Sequence, residues 1–268
     1  MRTVLITGAS TGIGKETAMY FAERGWNVAA SMRNLNSTDF NKYPNISKYH
    51  LDVNDEKSIS EAIKATIEKF GAINVVVNNA GYAAAGAFEC ATPQQIKKQF
   101  DVNVFGLMNV TRTILPHFRK NNSGTIINLA SVAGHAGFPT FTLYNSTKFA
   151  IEGFSESLQY ELRQFKIKVK IVEPGPIKTD FYDRSMDKIE NPEITEYDNF
   201  INPAMKKMTE MGMKGLPPIA VAKTIFKAAM SNSNKLRYPV AFQAAAMIKL
   251  RHLLPGCLFR SVVRLVMK

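Results

Sequence analysis

A tyrosine and a lysine lie four residues apart in the segment YNSTK, at Tyr144 and Lys148. Residues with this spacing share one face of a helix, so the phenol and the ammonium group would be neighbours. A phenol has a pKa near 10 and is a poor base at neutral pH, but a nearby positive charge lowers that pKa. The pair is therefore a candidate acid/base device, although a solvated helix face could carry the same two residue types.

Alternating strand and helix patterns surround this pair. Short apolar runs predict strands at 3–7, 27–32, 46–53, 73–81, 124–131 and 168–175. Capping residues and apolar periodicity predict helices at 15–25, 55–71, 93–118 and 141–165. Strands that are apolar throughout are typical of parallel sheets buried on both faces. The predicted fold class is α/β, a single doubly wound Rossmann-type parallel sheet with helices on both faces.

The segment TGASTGIG, residues 7–14, joins the first predicted strand to the first helix. Gly8, Gly12 and Gly14 allow backbone angles or close approaches that a Cβ atom would block. The helix N-terminus then offers free N–H groups and the positive end of its dipole to a diphosphate. A tight turn that binds nothing is the alternative, but the strand-turn-helix setting favours a dinucleotide site.

Several segments, taken in order, resemble the short-chain dehydrogenases/reductases over residues 3–179. They are the TGxxxGxG turn, NNAG at 78–81, the YxxxK pair and PGPIKT at 174–179. The resemblance implies a catalytic tetrad of Asn103, Ser131, Tyr144 and Lys148. The expected cofactor-binding residues are Gly8, Ser10, Thr11, Gly12, Ile13, Gly14, Arg33, Asp52, Val53, Asn79, Ala80, Gly81, Tyr144, Lys148, Pro174, Gly175, Ile177 and Thr179.

The same resemblance implies a role for each member of the tetrad. Tyr144 would exchange a proton with the substrate oxygen, and Ser131 would hydrogen-bond to that oxygen. Lys148 would favour the phenolate and bind the nicotinamide ribose, and Asn103 would hold a water that links the lysine to solvent. The hydride would belong to the cofactor. We expect an oxidoreductase; the alternative is a non-catalytic dinucleotide-binding regulatory protein, a type of relative that tends to lose the tetrad.

The end of the second strand bears on the choice of dinucleotide. An acidic residue there would bind the ribose hydroxyls of NAD, but the strand ends in Met32, and Arg33 follows. A guanidinium can bind the 2′-phosphate of NADP through paired, charge-assisted hydrogen bonds. We therefore expect NADP (NADPH), with an NAD-linked member of the same family as the alternative.

Residues 177–216 begin within PGPIKT and extend beyond it, into the region where the family has a substrate lid. They show no clear strand periodicity. Their apolar side chains include Phe181, Tyr182, Phe200, Met205, Met208 and Met211. With Phe138 and Phe141 they predict an adaptable apolar pocket, although some of them would simply pack the lid onto the body. The expected substrate-binding residues are Ser131, Phe138, Tyr144 and Phe181.

A hydrophobic alcohol, ketone or aldehyde is the expected substrate, and the C-terminal segment resembles that of members acting on steroids or retinoids. His135 is expected to be a loop or pocket-lining residue because the tetrad needs no histidine. The other histidines lack metal-ligand spacing, so no catalytic metal is predicted.

Positive charge is concentrated near the C-terminus. The net charge is +12, and residues 235–268 contain seven Lys or Arg and no Asp or Glu. No nucleic-acid-binding motif accompanies this charge, so no nucleic-acid partner is predicted. Residues 241–268 are predicted to be a basic amphipathic tail beyond a catalytic domain at 1–240. Its apolar face would pack on the body or a partner subunit, or contact an anionic membrane.

Two cysteines, no visible signal peptide and no bilayer-length apolar run predict a cytoplasmic protein, with peripheral membrane association through the tail as a further hypothesis. The helices at 93–118 and 141–165 are longer than one sheet face needs, and relatives dimerise through them. A homo-oligomer, in the first instance a homodimer, is therefore expected.

Overall fold

Strands and helices alternate along the chain in the computed structural model, which describes residues 1–179, 181 and 186–267. The strands are β1 (Thr3–Ile6), β2 (Asn27–Met32), β3 (Ile46–His50), β4 (Val75–Asn78), β5 (Ala83–Gly86), β6 (Gly124–Leu129), β7 (Ile167–Glu173), β8 (Met186–Ile189) and β9 (Arg237–Pro239). The helices are α1 (Gly12–Ala22), α2 (Glu56–Phe70), α3 (Pro93–Phe100), α4 (Gly106–Lys120), α5 (Thr142–Leu162), α6 (Asp198–Met213), α7 (Pro218–Met230), α8 (Ala241–Leu253) and α9 (Gly256–Met267).

Seven of these strands form one parallel sheet in the order β3-β2-β1-β4-β6-β7-β9. The predicted fold class is confirmed. The chain runs outward from β1 to β3 and then outward on the other side from β4 to β9. The direction of winding changes between β1 and β4, and sheets of this kind bind ligands beyond the carboxyl ends of the strands at such a point.

Both faces of the sheet are covered by helices, which explains the continuous apolar runs. Successive residues of a strand point to opposite faces. Val4 of β1 packs in a core with Phe21 of α1 and Ile225 of α7, whereas Leu5 packs in a second core with Ile114 of α4. Every residue of β1 is therefore buried.

The prediction of one continuous helix at 93–118 is wrong in detail. The segment contains α3, a π-helical turn (Asp101–Phe105) and α4. A π turn holds one more residue than an α turn, a difference that side-chain periodicity does not reveal. Gly106 follows the turn, where a Cβ atom would lie 2.5 Å from Val53 Cγ2. The turn contains Asn103, whose side chain hydrogen-bonds to the backbone of Tyr82 between β4 and β5.

The lid segment also contains regular structure that its sequence did not predict. β8 pairs in parallel with β5 as a separate two-stranded sheet, and α6 follows. β5 has the sequence AAAG, which lacks the β-branched and aromatic residues that indicate strands. Phe200 lies in the first turn of α6 and is 58 % exposed, so it is not a pocket residue, and Tyr182 lies outside the described residues.

The predicted C-terminal tail forms α8 and α9. Ala244 and Ile248 of α8 pack against Val132, and Phe259 of α9 is buried. Leu258 and Leu265 of α9 are 54 % and 76 % exposed, so the apolar residues of this helix divide between a packed and an exposed face. Within the described part of the chain, no helix has the length and apolar character needed to cross a membrane.

Candidate active site

The glycine turn after β1 is fixed by an asparagine after β4. The Asn79 Nδ2 atom donates to the Thr7 carbonyl at 2.8 Å and to the Gly8 carbonyl at 3.0 Å. Gly8 has a φ of 66°, in the left-handed region that favours glycine. A Cβ atom on Gly14 would lie 2.3 Å from the Gly8 carbonyl oxygen, so the turn and the first turn of α1 fit together only with glycine there.

The N-terminus of α1 fits the diphosphate of a dinucleotide. Among the described residues, the side chain of Thr11 at the N-cap makes no capping hydrogen bond, so the first N–H groups remain for a ligand. Gly12 has a φ of 53°, and Thr179 is the neighbour nearest to the position its Cβ atom would take, at 3.5 Å. Uncapped N–H groups and the helix dipole together form an anion site.

The adenosine side of the cleft lies beyond β2 and β3. Met32 is buried at the end of β2, and Arg33 is exposed and lines the cleft. The Arg33 side chain makes no hydrogen bond or ion pair with another described residue. Asp52 lies in the loop after β3, since that strand ends at His50 and not at residue 53 as predicted.

Tyr144 and Lys148 occupy the first two turns of α5. The Lys148 Nζ atom lies 5.5 Å from the centre of the Tyr144 ring and donates to the Leu129 carbonyl at 2.7 Å. Burial lowers the pKa of Lys148 to about 8, and the Glu152 carboxylate opposes this by raising it. The ring of Tyr144 packs edge-on against Phe141 and Phe181, at 5.6 and 5.5 Å between centres.

Ser131 and Asn103 complete the predicted tetrad. The Ser131 hydroxyl donates to the Pro174 carbonyl at 3.2 Å and accepts from the Ala133 N–H at 3.1 Å. The Asn103 side chain exchanges two hydrogen bonds with the backbone of Tyr82, at 2.9 and 3.1 Å, and its Nδ2 atom lies 3.2 Å from the Thr147 hydroxyl. That side chain is committed to protein groups, so a relay water on Asn103 would use its backbone carbonyl.

One cleft of about 740 Å³ joins these parts. Every residue predicted to bind cofactor or substrate lines it, from the glycine turn to Pro174–Thr179 and Phe181, whereas Asn103 lies behind its wall. The sequence missed several lining residues, namely Lys98, Met186, Asp187 and Met247. Met247 belongs to α8, and no pattern in the sequence indicated that this helix borders the cleft.

His135 lies in the loop after β6, which is one of the two predicted alternatives, and it does not line the cleft. Its side chain is 7 % exposed, and its Nε2 atom lies 2.7 Å from Glu173 Oε1 and 3.7 Å from Glu152 Oε1. Arg237 Nε lies 3.1 Å from Glu152 Oε2. Among the described residues, Arg237 and the protonated form of His135 are thus the positive charges beside the two carboxylates. The lack of a catalytic metal stays a prediction.

Comparison with known proteins agrees with this geometry. Residues 2–190 match the profile of the short chain dehydrogenase family. A 3-ketodihydrosphingosine reductase of Bacteroides thetaiotaomicron is 35 % identical over 84 % of this chain and 82 % of its own length. The structure of a short-chain dehydrogenase from Streptomyces avermitilis superposes with a TM-score of 0.82 at 31 % identity, covering 98 % of this chain and 94 % of that one.

A structure of ElxO with NADP bound is 29 % identical, with a TM-score of 0.75 over 91 % of this chain and 99 % of the other. A further solved structure of the same fold is a complex with NAD. The chain therefore belongs to the short-chain dehydrogenase family. It is an oxidoreductase of the class that uses a nicotinamide dinucleotide.

Proposed function

We propose that the protein is an NADP(H)-dependent oxidoreductase that interconverts a hydrophobic alcohol and its ketone or aldehyde. The observation that carries the proposal is the position of Tyr144 and Lys148 on one cleft. The glycine turn borders that cleft at one end, and phenylalanine and methionine side chains border it at the other.

Side chains of the protein transfer the proton to or from the reacting oxygen of the substrate. The Tyr144 hydroxyl donates a proton to a carbonyl oxygen, or takes one from an alcohol, and the Ser131 hydroxyl polarises that oxygen. The Lys148 ammonium favours the phenolate form that results. The dinucleotide, when bound, supplies or accepts the hydride. Proton exchange with solvent passes from Lys148 to a water held at the Asn103 backbone.

The preference for NADP rests on Arg33. Its exposed guanidinium borders the cleft beside the end of β2, where a carboxylate would otherwise bind the ribose diol. Met32 at that position leaves NAD without this contact. The NADP complex of the related ElxO agrees with the preference, and an NAD-linked enzyme is the alternative.

The substrate class rests on the composition of the cleft. Its apolar side chains include Phe138, Phe141, Phe181, Met186, Met208, Met211 and Met247. Methionines adapt to irregular apolar shapes, so these walls suit a flexible or bulky hydrophobic substrate. The name of one relative, 3-ketodihydrosphingosine reductase, describes the reduction of a ketone, which is the type of reaction proposed here.

The test is a panel of hydrophobic aldehydes and ketones with NADPH or NADH, monitored by loss of nicotinamide absorbance. We expect turnover that increases with the apolar size of the carbonyl compound and that is faster with NADPH. Turnover of small polar carbonyls alone, or equal rates with both dinucleotides, would contradict the substrate class or the cofactor preference respectively.

We further propose a cytoplasmic location with peripheral contact to anionic membranes through α8 and α9. Phe242, Leu253 and Leu265 are 82 %, 79 % and 76 % exposed, and the same helices carry Lys249, Arg251, Arg260 and Arg264 without an acidic residue. A second copy docking symmetrically on this face would bring arginines together, whereas an anionic surface complements them.

Co-sedimentation with phosphatidylserine vesicles at low and high salt tests this contact. We expect the parent to bind at low salt and the double variant Leu253→Gln/Leu265→Gln to bind much less. Phe88→Gln, at an exposed phenylalanine far along the chain from α8, is the matched control. Equal binding by all three proteins, or no binding by the parent at low salt, would contradict the proposal.

A further inference from the structure

A cluster of four ionisable side chains lies behind the wall that carries Ser131. This ion cluster consists of His135, Glu152, Glu173 and Arg237. The two glutamates are 6 % and 0 % exposed, and the carboxylate oxygens Glu152 Oε1 and Glu173 Oε2 have no hydrogen-bond partner among the described residues. Arg237 Nε also lies 3.8 Å from Glu173 Oε1, so one cation from β9 and one from the Ser131 loop contact both acids.

Three members of the ion cluster, His135, Glu152 and Glu173, lie close in the chain to residues of the site. His135 follows Ser131 by four residues, and Glu173 precedes Pro174, whose carbonyl accepts the Ser131 hydroxyl. Glu152 lies one helical turn after Lys148. The loop and helix are in close contact here, because a Cβ atom on Gly134 would lie 2.9 Å from Glu152 Cγ and 3.0 Å from the Lys148 carbonyl oxygen.

The charges around His135 come from every element that packs on it. Glu173 faces it from β7, Glu152 from α5 and Arg237 from β9, and the exposed ring of His252 on α8 stacks edge-on at 5.5 Å. Arg237 also pairs with Glu156, whose Oε2 lies 2.6 Å from Arg237 Nη2, so this guanidinium is shared by three carboxylates and does not by itself balance Glu152 and Glu173. A charged His135 supplies the second positive charge beside these carboxylates, and buried charges are strongly unfavourable without such partners.

The pKa values of His135 and Glu152 both reflect these contacts. The hydrogen bond to Glu173 raises the pKa of His135 despite its burial. Burial, followed by repulsion from Glu173, raises the pKa of Glu152 to about 7. The cluster therefore changes its charge in the neutral range.

We infer that His135 is a positioning residue whose charged form links the end of β7 to α5 and thereby holds the Ser131 loop against Lys148. The inference rests on the proposed function for its catalytic consequence, but its structural part does not. Asn145 also binds this loop, donating to the Ala133 and Ala136 carbonyls at 2.9 and 2.5 Å, so a variant at His135 retains a second attachment.

Three variants test the role of the charge. His135→Gln keeps a polar side chain without charge, His135→Arg keeps a permanent charge, and His252→Gln removes the stacked exposed histidine as a control. A misplacement of about 1 Å can cost about 100-fold in rate. We expect kcat to fall about tenfold or more in H135Q, with the KM for NADPH within about twofold of the parent, and to recover substantially in H135R. A parent-like kcat in H135Q, or equal losses in H135Q and H135R, would overturn the inference.

A pH series of thermal unfolding tests the cluster without any need for activity. His135 and Glu152 both bind protons more tightly in the folded protein, so both make the parent less stable as pH rises from 6 to 8. We expect a smaller fall in Tm over this range for H135R and a parent-like fall for H252Q. A parent-like fall in H135R would overturn the inference. If H135R does not fold, a histidine NMR titration of the parent decides, and a His135 pKa at or below 6.5 would overturn it. A parent without turnover would refute the proposed function and leave these two tests valid.

Discussion

Lys148 lies one helical turn after Tyr144, with its ammonium 5.5 Å from the centre of the tyrosine ring. A hydrogen bond of 2.7 Å to the Leu129 carbonyl fixes the ammonium group at the end of β6. With a pKa lowered to about 8 by burial, the lysine is still charged at pH 7. The arrangement thus maintains a positive charge next to a phenol inside a largely apolar wall.

Replacing Lys148 with methionine should abolish turnover with little change in stability at pH 7. A pKa lowered from 10.5 to about 8 corresponds to about 3 kcal/mol of unfavourable charge burial, which the variant removes. The Leu129 carbonyl left unpaired costs about 1–3 kcal/mol. Urea denaturation should therefore give a free energy of unfolding within about 2 kcal/mol of the parent, whereas kcat falls at least about 100-fold. Lys64→Met, at an exposed lysine, is the control and should unfold like the parent. A loss of unfolding free energy well above about 2 kcal/mol in Lys148→Met alone would contradict the cost assigned to burying the Lys148 charge.

The parent and the Lys148→Met variant should differ in how their free energy of unfolding changes between about pH 8 and pH 10.5. The unfolded lysine titrates near 10.5 and the folded one near 8, so the unfolded chain binds more protons between these pH values. Stability therefore rises with pH across that window through this group. Subtracting the K148M series from the parent series should reveal the rise, and two parallel series would show that the folded pKa is not lowered.

Arg33→Asp should change the cofactor preference. The substitution removes a partner for a 2′-phosphate and adds an acceptor for a ribose diol. A charged hydrogen-bonded contact contributes about 1.5–3 kcal/mol, so we expect the ratio of NADPH to NADH affinity to fall about tenfold or more. Isothermal titration with both dinucleotides measures the ratio, with Arg24→Asp as a control. An unchanged ratio would remove Arg33 from the site.

Gly14→Ala should weaken dinucleotide binding and lower Tm. The new Cβ atom would lie 2.3 Å from the Gly8 carbonyl oxygen and 2.5 Å from Asn79 Nδ2, so the turn must shift away from the N-terminus of α1. Gly137→Ala is the matched control, since no atom of the described residues, apart from Gly137 and its two chain neighbours, lies within 4 Å of the position of its Cβ. Equal NADPH affinity in the two variants would contradict this prediction, because it would show that the glycine turn can shift without loss of dinucleotide binding.

A homodimer formed through α4 and α5 is expected to be the form in solution. Phe149 and Tyr160 of α5 are 47 % and 73 % exposed, and their spacing of eleven residues puts them on one face of the helix. Sedimentation equilibrium at micromolar concentration should give twice the chain mass for the parent and a lower mass for Phe149→Glu/Tyr160→Glu. A monomeric parent would contradict the expectation.

The fold and most of the cleft were predictable because they follow from local patterns. Continuous apolar runs indicated six of the seven sheet strands, and the polar segments after them marked the ligand edge. β9 was not predicted, because three residues with a proline at the end carry no strand pattern.

The parts that escaped prediction depend on contacts between distant segments. The π turn at Asn103 lies beside a close approach of Gly106 to Val53, and β5 is a strand because β8 pairs with it. His135 meets Glu152, Glu173 and Arg237 only in the folded chain, so a single histidine in a loop gave no sign of a buried ion cluster.

The most direct test of the proposed chemistry is Tyr144→Phe, which removes one hydroxyl and keeps the ring between Phe141 and Phe181. NADPH affinity by fluorescence titration and NADPH oxidation with the best carbonyl substrate should be measured on the same preparation. We expect an affinity within about twofold of the parent and a kcat lower by at least about 100-fold, the lower end of the range for loss of a general acid. A variant that binds NADPH normally and turns over at a rate close to the parent's would contradict the assignment of Tyr144 as the acid/base.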